Sequence, residues 1–210
     1  MIVVIGNPVH RASSTGVIAD GLAARVALAA SATGAAVQLV GKIGDDPAGD
    51  ELMLALGRTG VGHVAMLRDP SRPTAVLPPQ VEPEDVADEP SGVVVGSRLD
   101  DDGSPALEVA DVQLALRYLP DTRVIVAVHA TPEILAESAA AASWSEAHLV
   151  AVLAPGVEAA SGLPDDALVV AATDDEAEGL ASRIGQYAAA VDRGEDPGRA
   201  FAVLTAAGTA

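Results

Sequence analysis

The chain alternates short, wholly apolar runs with longer stretches of helical periodicity, beginning at its first residues. Ile2–Ile5 is apolar at every position and reads as a buried strand, closed by the turn signal Gly6-Asn7-Pro8. Ala19–Thr33 is alanine-rich and helix-compatible, and Gly34 stands where a glycine stops a helix. A second strand is predicted at Val37–Val40. From Pro47 to Arg58 the spacing puts Leu52, Ala55 and Leu56 on one helical face. Asp46 is suited to cap that helix, and Asp50 and Glu51 suit the positive end of its dipole.

Val64–Leu67 and Thr74–Leu77 read as short strands joined by a Pro/Arg turn. Pro78–Pro90 then carries five acidic residues, no basic ones and four prolines, the composition of a surface excursion or mobile loop. Val93–Val95 resumes a strand and Asp100–Gly103 is a turn, so residues 64–95 are expected to hold lid strands and an acidic loop. In the second half, Leu107–Leu119 has Val112, Ala115, Leu116 and Leu119 on one helical stripe. Strands follow at Arg123–Val128, His148–Leu153 and Ala167–Ala171, with a helix at Pro132–Ala142. Asp174–Val191 repeats Ala177, Leu180, Ala181, Ile184, Ala188 and Val191 at helical spacing, and Ala200–Thr205 reads as a last strand.

Strands that are apolar along their whole length need cover on both faces, as in parallel sheets flanked by helices. The expectation is one α/β domain over residues 1–210: a three-layer α/β/α sandwich with a mainly parallel sheet and a small β lid.

Composition changes this picture in three ways. Aromatic residues make up only 2% of the chain, so the core has to be built from Ala, Val, Leu and Ile. The formal net charge is −18 with a single lysine, Lys42, which opposes non-specific affinity for nucleic acid or an anionic membrane. There are no cysteines, which excludes disulfides and thiolate chemistry. His10, His63, His129 and His148 lie far apart without ligand-like spacing, so no metal ligands are assigned. The start of the chain is too short in its apolar run for a signal peptide, and no run approaches the roughly 20 residues of a membrane span. A cytoplasmic protein is expected.

Several chemistries are excluded by missing motifs. No G-x-G-x-x-G follows the first strand, Gly41-Lys42-Ile43 is not a P-loop, and there is no G-x-S-x-G elbow. What remains is the stretch Gly34–Val61, with Thr33-Gly34, Gly41, Gly44-Asp45-Asp46, Gly49 and Gly60-Val61 in fixed order. Read from the residues alone, Gly44, Asp45, Asp46 and Gly49 form a structural turn and helix cap. Thr173-Asp-Asp-Glu176 likewise reads as a capping box.

In order and spacing this stretch resembles the ribokinase, or PfkB-type, carbohydrate kinases, with their "G-x-x-G-D-D-x-x-G". Downstream, Pro73-Thr74 is similar to the family's "P-T-G", and Thr131-Pro132-Glu133 opens a helix in the expected place. Thr173–Glu176 is similar to "N-x-x-E", and Val203–Gly208 to "V-T-x-G-x-x-G". The resemblance implies phosphoryl transfer to a sugar-like hydroxyl. It places Asn7, Asp20, Gly21, Arg25 and Gly41 at a substrate site and Thr173, Glu176, Thr205 and Gly208 near a nucleotide. ATP and Mg are implied as cofactors only where kinase activity is retained. A sugar or nucleoside is the implied small-molecule partner, and a homodimer through the small sheet near Val64–Leu77 is plausible by the same resemblance.

The departures point the other way. The family's substrate di-glycine falls on Asp20-Gly21 and its asparagine on Arg25. Asn7-Pro8-Val9-His10-Arg11 replaces the sugar-contacting aspartate expected after the first strand. The catalytic "D-T-x-G-A-G-D" occurs nowhere. In one register the chain ends before it; in another, Asp175–Ala181 lies against it and Ala181 takes the place of the base. No catalytic residue is assigned. The expected function is a truncated or degenerate carbohydrate-kinase-fold protein with a sugar or nucleoside pocket and no general base. The alternatives are an active kinase completed by another chain and a generic α/β ligand-binding or regulatory domain.

Overall fold

Ile2–Ile5 is buried at all four positions, because it forms the middle of a sheet covered on both faces. The computed structural model describes residues 1–14, 16–78, 103–157, 162–171 and 177–206. The first half runs β1 (Ile2–Ile5), β2 (Val9–Ser13), β3 (Gly16–Asp20), α1 (Leu22–Ala32), β4 (Val37–Gly44), α2 (Pro47–Arg58), β5 (Met66–Asp69) and β6 (Val76–Leu77). The second half runs α3 (Val109–Arg117), β7 (Val124–Val128), α4 (Pro132–Ser145), β8 (His148–Leu153), β9 (Leu168–Ala171), α5 (Ala177–Asp192) and α6 (Pro197–Ala206).

Six strands form one parallel sheet in the order β5-β4-β1-β7-β8-β9. Ile2, Val4, Leu39, Val126 and Val150 face a core shared with α1, α2 and α5. Val3, Ile5, Val40, Ile125 and Leu149 face the other core, shared with α3 and α4. The expected α/β/α sandwich with a mainly parallel sheet is the observed fold.

The near-absence of aromatics has a packing consequence between α1 and α5. A Cβ on Gly185 of α5 would lie 2.6 Å from the Ala29 Cβ and 2.7 Å from the Ala30 amide nitrogen. The two helices therefore meet almost backbone to backbone, which only small residues allow. Gly185→Ala would gain helix propensity but force the helices apart. A net loss of about 1–2 kcal/mol in urea unfolding is expected.

Tyr187, on the same helix, is buried, and its hydroxyl lies within hydrogen-bond distance of His148 Nε2 at 2.8 Å. His148 Nδ1 faces Asp166 Oδ2 at 3.7 Å. Burial pushes the Tyr187 phenol up to about 12. Burial also lowers the His148 pKa from its ordinary 6.5, outweighing the nearby Asp166 carboxylate. The folded state therefore prefers neutral His148. This contribution is present above the unfolded value and is lost as the pH falls through the lower folded value. Urea midpoints measured between about pH 7.5 and 5.5 should decline, and less so in His148→Gln. Equal declines in both proteins would refute the assignment.

Three expectations are corrected. β2 and β3 pair as an antiparallel hairpin where no element was expected, and the helix expected from Ala19 begins only at Leu22, Ala19 and Asp20 lying in β3. The small sheet has the order β3-β2-β6, whereas β5 pairs in parallel with β4 at the edge of the central sheet. The segment 64–77 is thus divided between two sheets. Finally, Ala200–Thr205 lies within the helix α6 rather than forming a strand. Residues 79–102, with the acidic excursion beyond Pro78, the strand at Val93–Val95 and most of the turn at Asp100–Gly103, lie outside the described residues.

Candidate functional site

The strand order reverses direction at β1, whose neighbours β4 and β7 are reached by connections leading to opposite sides. In open parallel sheets ligands bind in the crevice outside the carboxyl ends of the strands at such a switch point. At this end Gly6 closes β1. A Cβ on it would lie 2.9 Å from the Ala23 Cβ and 3.2 Å from the Val128 carbonyl oxygen.

Asn7 follows, and both ends of its amide are engaged. Its Oδ1 accepts from the Lys42 backbone amide at 2.8 Å, and its Nδ2 donates to the Pro105 carbonyl at 2.6 Å. Gly41 is glycine because a Cβ would come within 2.9 Å of the Gly6 carbonyl oxygen and 3.0 Å of Pro8 Cδ. A Cβ on Gly21, at φ +84°, would lie 3.0 Å from Val9 Cγ2 and 3.6 Å from the Asn7 carbonyl oxygen. Asp20 and Arg25 flank Gly21 in an ion pair. The structure therefore brings Asn7, Asp20, Gly21, Arg25 and Gly41 to one corner between the hairpin and the carboxyl ends of β1 and β4.

The electrostatic centre of the corner is Asp20, which is 4% exposed. One carboxylate oxygen accepts from Arg25 Nε at 2.5 Å and from the Gly21 amide at 2.7 Å. The other accepts from Arg11 Nε. Burial alone would raise the Asp20 pKa, but the hydrogen bonds from Arg25, Arg11 and Gly21 outweigh it and hold the carboxyl below its usual range. Arg11 was not among the expected site residues. Its signal in the sequence was the excess of acidic residues, which makes each arginine beside a carboxylate notable, but nothing local indicated this pairing.

A second cluster links α2 to the small sheet. Asp46 Oδ1 accepts from the Gly49 amide at 2.8 Å and from the Thr74 hydroxyl at 2.7 Å, while Oδ2 accepts the Thr74 amide at 2.8 Å. The Thr74 hydroxyl also receives the Gly44 amide at 3.0 Å. A Cβ on Gly49 would sit 2.5 Å from the Gly44 carbonyl, and one on Gly44 would sit 2.5 Å from the Thr74 amide nitrogen. Gly44, Asp46 and Gly49 thus fold around Pro73-Thr74, two motif fragments that the sequence separates. Asp45 stands outside this clasp, paired with Arg68 at 3.2 Å on the surface.

Of the residues expected near a nucleotide, one is described. Thr205 lies in α6, and Thr173, Glu176 and Gly208 lie outside the described residues. At the carboxyl end of β7, Thr131 caps α4 by accepting the Ile134 amide at 3.4 Å. No group of three or more His, Asp or Glu side chains suited to a metal ion occurs among the described residues. No described helix is long and apolar enough to cross a membrane. An open cavity of about 580 Å³ beside α2 and β5, lined among others by Met53, Leu54 and His63, shares no residue with the corner.

The comparisons with known proteins agree with this architecture. Residues 2–82 match the family model of the pfkB family carbohydrate kinases. No curated protein sequence matches the chain. Among solved structures, an uncharacterized sugar kinase from Pyrococcus horikoshii is similar at 16% identity and TM-score 0.55, with 75% of this chain and 56% of that one covered. The fructokinase from Xylella fastidiosa is similar at 16% identity and TM-score 0.52, over 97% of this chain and 68% of that one. The 2-dehydro-3-deoxygluconokinase from Thermotoga maritima is similar at 19% identity and TM-score 0.55, over 72% of this chain and 50% of that one. The chain thus spans between half and about two thirds of the length of these kinases. Residues 2–82 match the PfkB family model, and the chain as described has a ribokinase-like α/β fold.

Proposed function

We propose that the chain is a degenerate carbohydrate-kinase-fold protein that takes a sugar or nucleoside at the Asn7–Asp20–Arg25 corner and does not by itself transfer a phosphoryl group. The observation that carries this reading is the state of Asp20. A general base must have a free lone pair and a pKa near the working pH. The Asp20 carboxylate accepts bonds from two guanidinium groups and an amide, and its pKa is lowered, so it is a poor proton acceptor. The sequence supplies no replacement, since the 210 residues contain no "G-A-G-D". Arg11 and Arg25 share the single carboxylate of Asp20, so these three groups together carry net positive charge, which suits oxygen-rich ligands.

Titration calorimetry with D-ribose, D-fructose, adenosine and ATP·Mg, paired with an ADP-release assay, tests the reading. Saturable binding of a sugar or nucleoside without ADP release is the expected result. ADP release that scales with protein concentration and depends on the added sugar would overturn it. Arg25→Ala should weaken binding by about tenfold or more. Unchanged affinity in that variant would place the ligand elsewhere.

A further inference from the structure

The helix α2 has two apolar faces of different fate. Leu52, Ala55 and Leu56 turn into the core and are buried, as their helical spacing requires. Asp50, Met53, Leu54, Gly57 and Arg58 recur at i, i+3, i+4, i+7 and i+8 and so share a second face. That face is apolar in its middle and charged at both ends. His63 and Arg68 stand across from it, on the approach to the edge strand β5 and within it, and the two walls border the open cavity of about 580 Å³. Leu54, on its floor, is 61% exposed. A Cβ on Gly57 would lie 3.4 Å from His63 Cε1, so the imidazole closes the cavity against the last turns of the helix. At the other end Arg68 is committed, bonding Asp50 at 2.6 Å and Asp45 at 3.2 Å. Arg58 is in no ion pair among the described residues.

The charge of this cavity runs against that of the molecule. The chain has 12 lysines and arginines against 30 acidic residues. Here two arginines and a histidine border the space with a single carboxylate, Asp50, which Arg68 already neutralises. The volume is in the range of small-molecule sites. We propose that the cavity binds a small aliphatic carboxylate, with its head group on Arg58 and its chain along Leu54 and Met53. A guanidinium takes a carboxylate through two parallel N–H···O bonds, which fixes the head. No aromatic side chain lines the cavity among the described residues, and the flexible flanks of leucine and methionine adapt to an alkyl chain. From Asp50 to Arg58 the helix rises about 12 Å, the span of an extended eight-carbon acid. The site shares no residue with the Asn7–Asp20–Arg25 corner and does not depend on the sugar-binding reading.

Calorimetric titration of the intact chain with octanoate, with 1-octanol as the neutral control, tests the proposal without sugar or nucleotide present. One saturable site with a Kd of about 1 mM or below is expected for octanoate, and binding about tenfold weaker or more for octanol. Leu54→Asp, which sets a carboxylate on the floor, should weaken octanoate binding by about tenfold or more, and Arg58→Gln by about threefold to tenfold. Both side chains are exposed, so neither change disturbs the core. Leu114→Asp adds the same charge at an exposed position of α3, in the opposite helical layer, and should leave the affinity unchanged. Absence of a saturable octanoate site would overturn the proposal, as would equal affinity for octanol. Unchanged affinity in Leu54→Asp or in Arg58→Gln would do the same, and so would an equal loss in Leu114→Asp.

Discussion

Asp20→Asn is expected to destabilise the protein by about 3 kcal/mol, the range for breaking a mostly buried ion pair by removing one partner. The cost comes from what is left behind. Arg11 and Arg25, with side chains 15% and 31% exposed, would keep their charges and lose the Asp20 carboxylate between them. An asparagine cannot replace the carboxylate, since its amide group would turn a donor toward one of the guanidinium groups. The same logic makes Arg11→Met, Arg25→Met and Asp20→Leu together much less harmful than Asp20→Asn alone, because no buried charge then remains unpaired. Urea unfolding of these proteins decides the matter; a loss below about 1 kcal/mol in Asp20→Asn would mean that solvent compensates the arginines. The sign with pH follows from the lowered Asp20 pKa. Its contribution is present above the ordinary value of 3.8 and is lost as the pH falls through the lower folded value. The acid limb of the stability profile should accordingly be flatter in Asp20→Asn.

Asp46→Ala is expected to cost about 2–4 kcal/mol, from loss of a helix cap plus desolvated donors at Gly49 and Thr74 that are left without an acceptor. Asp46→Asn should cost nearly as much. Both carboxylate oxygens accept bonds, so an amide in either orientation sets a donor against a donor. Asp45→Ala, by contrast, removes only an exposed pair to Arg68 and should change stability by less than about 0.5 kcal/mol. Thermal melts of the three variants rank them. Equal effects at Asp45 and Asp46 would contradict the clasp. Mild loss at Asp46 with strong loss in Thr74→Ala would move its centre to Thr74.

Adjacent residues, Asp45 and Asp46, thus differ in importance for a reason the sequence shows only in part. The capping role of Asp46 follows from its place before Pro47 and the apolar stripe of α2. Its hold on Thr74 does not, because the partner is 28 positions away. The hairpin β2–β3 was hidden in the same manner. Its residues alternate poorly, and β2 is completed by a parallel pairing with Val76–Leu77, far along the chain. At α6 the signal was present. Asp196 caps the helix by accepting the Arg199 amide, and Pro197 follows it, so Asp-Pro-Gly marked a helix start ahead of a short apolar run that periodicity leaves ambiguous.

What the sequence determined by itself was the layered α/β architecture. Wholly apolar strands need cover on both faces, helical stripes supply it, and both patterns are local, one a short continuous apolar run and the other a 3.6-residue period. It also determined that the catalytic motif is missing from these residues. Only the tertiary structure decided how the corner is used. Asn7 meets Pro105 across 98 positions, Lys42 meets Asp111 across 69, and Asp20 draws in an arginine from each side. Such pairings depend on where the sheet places the chain, and side-chain bonds between distant residues leave no periodic trace in the sequence.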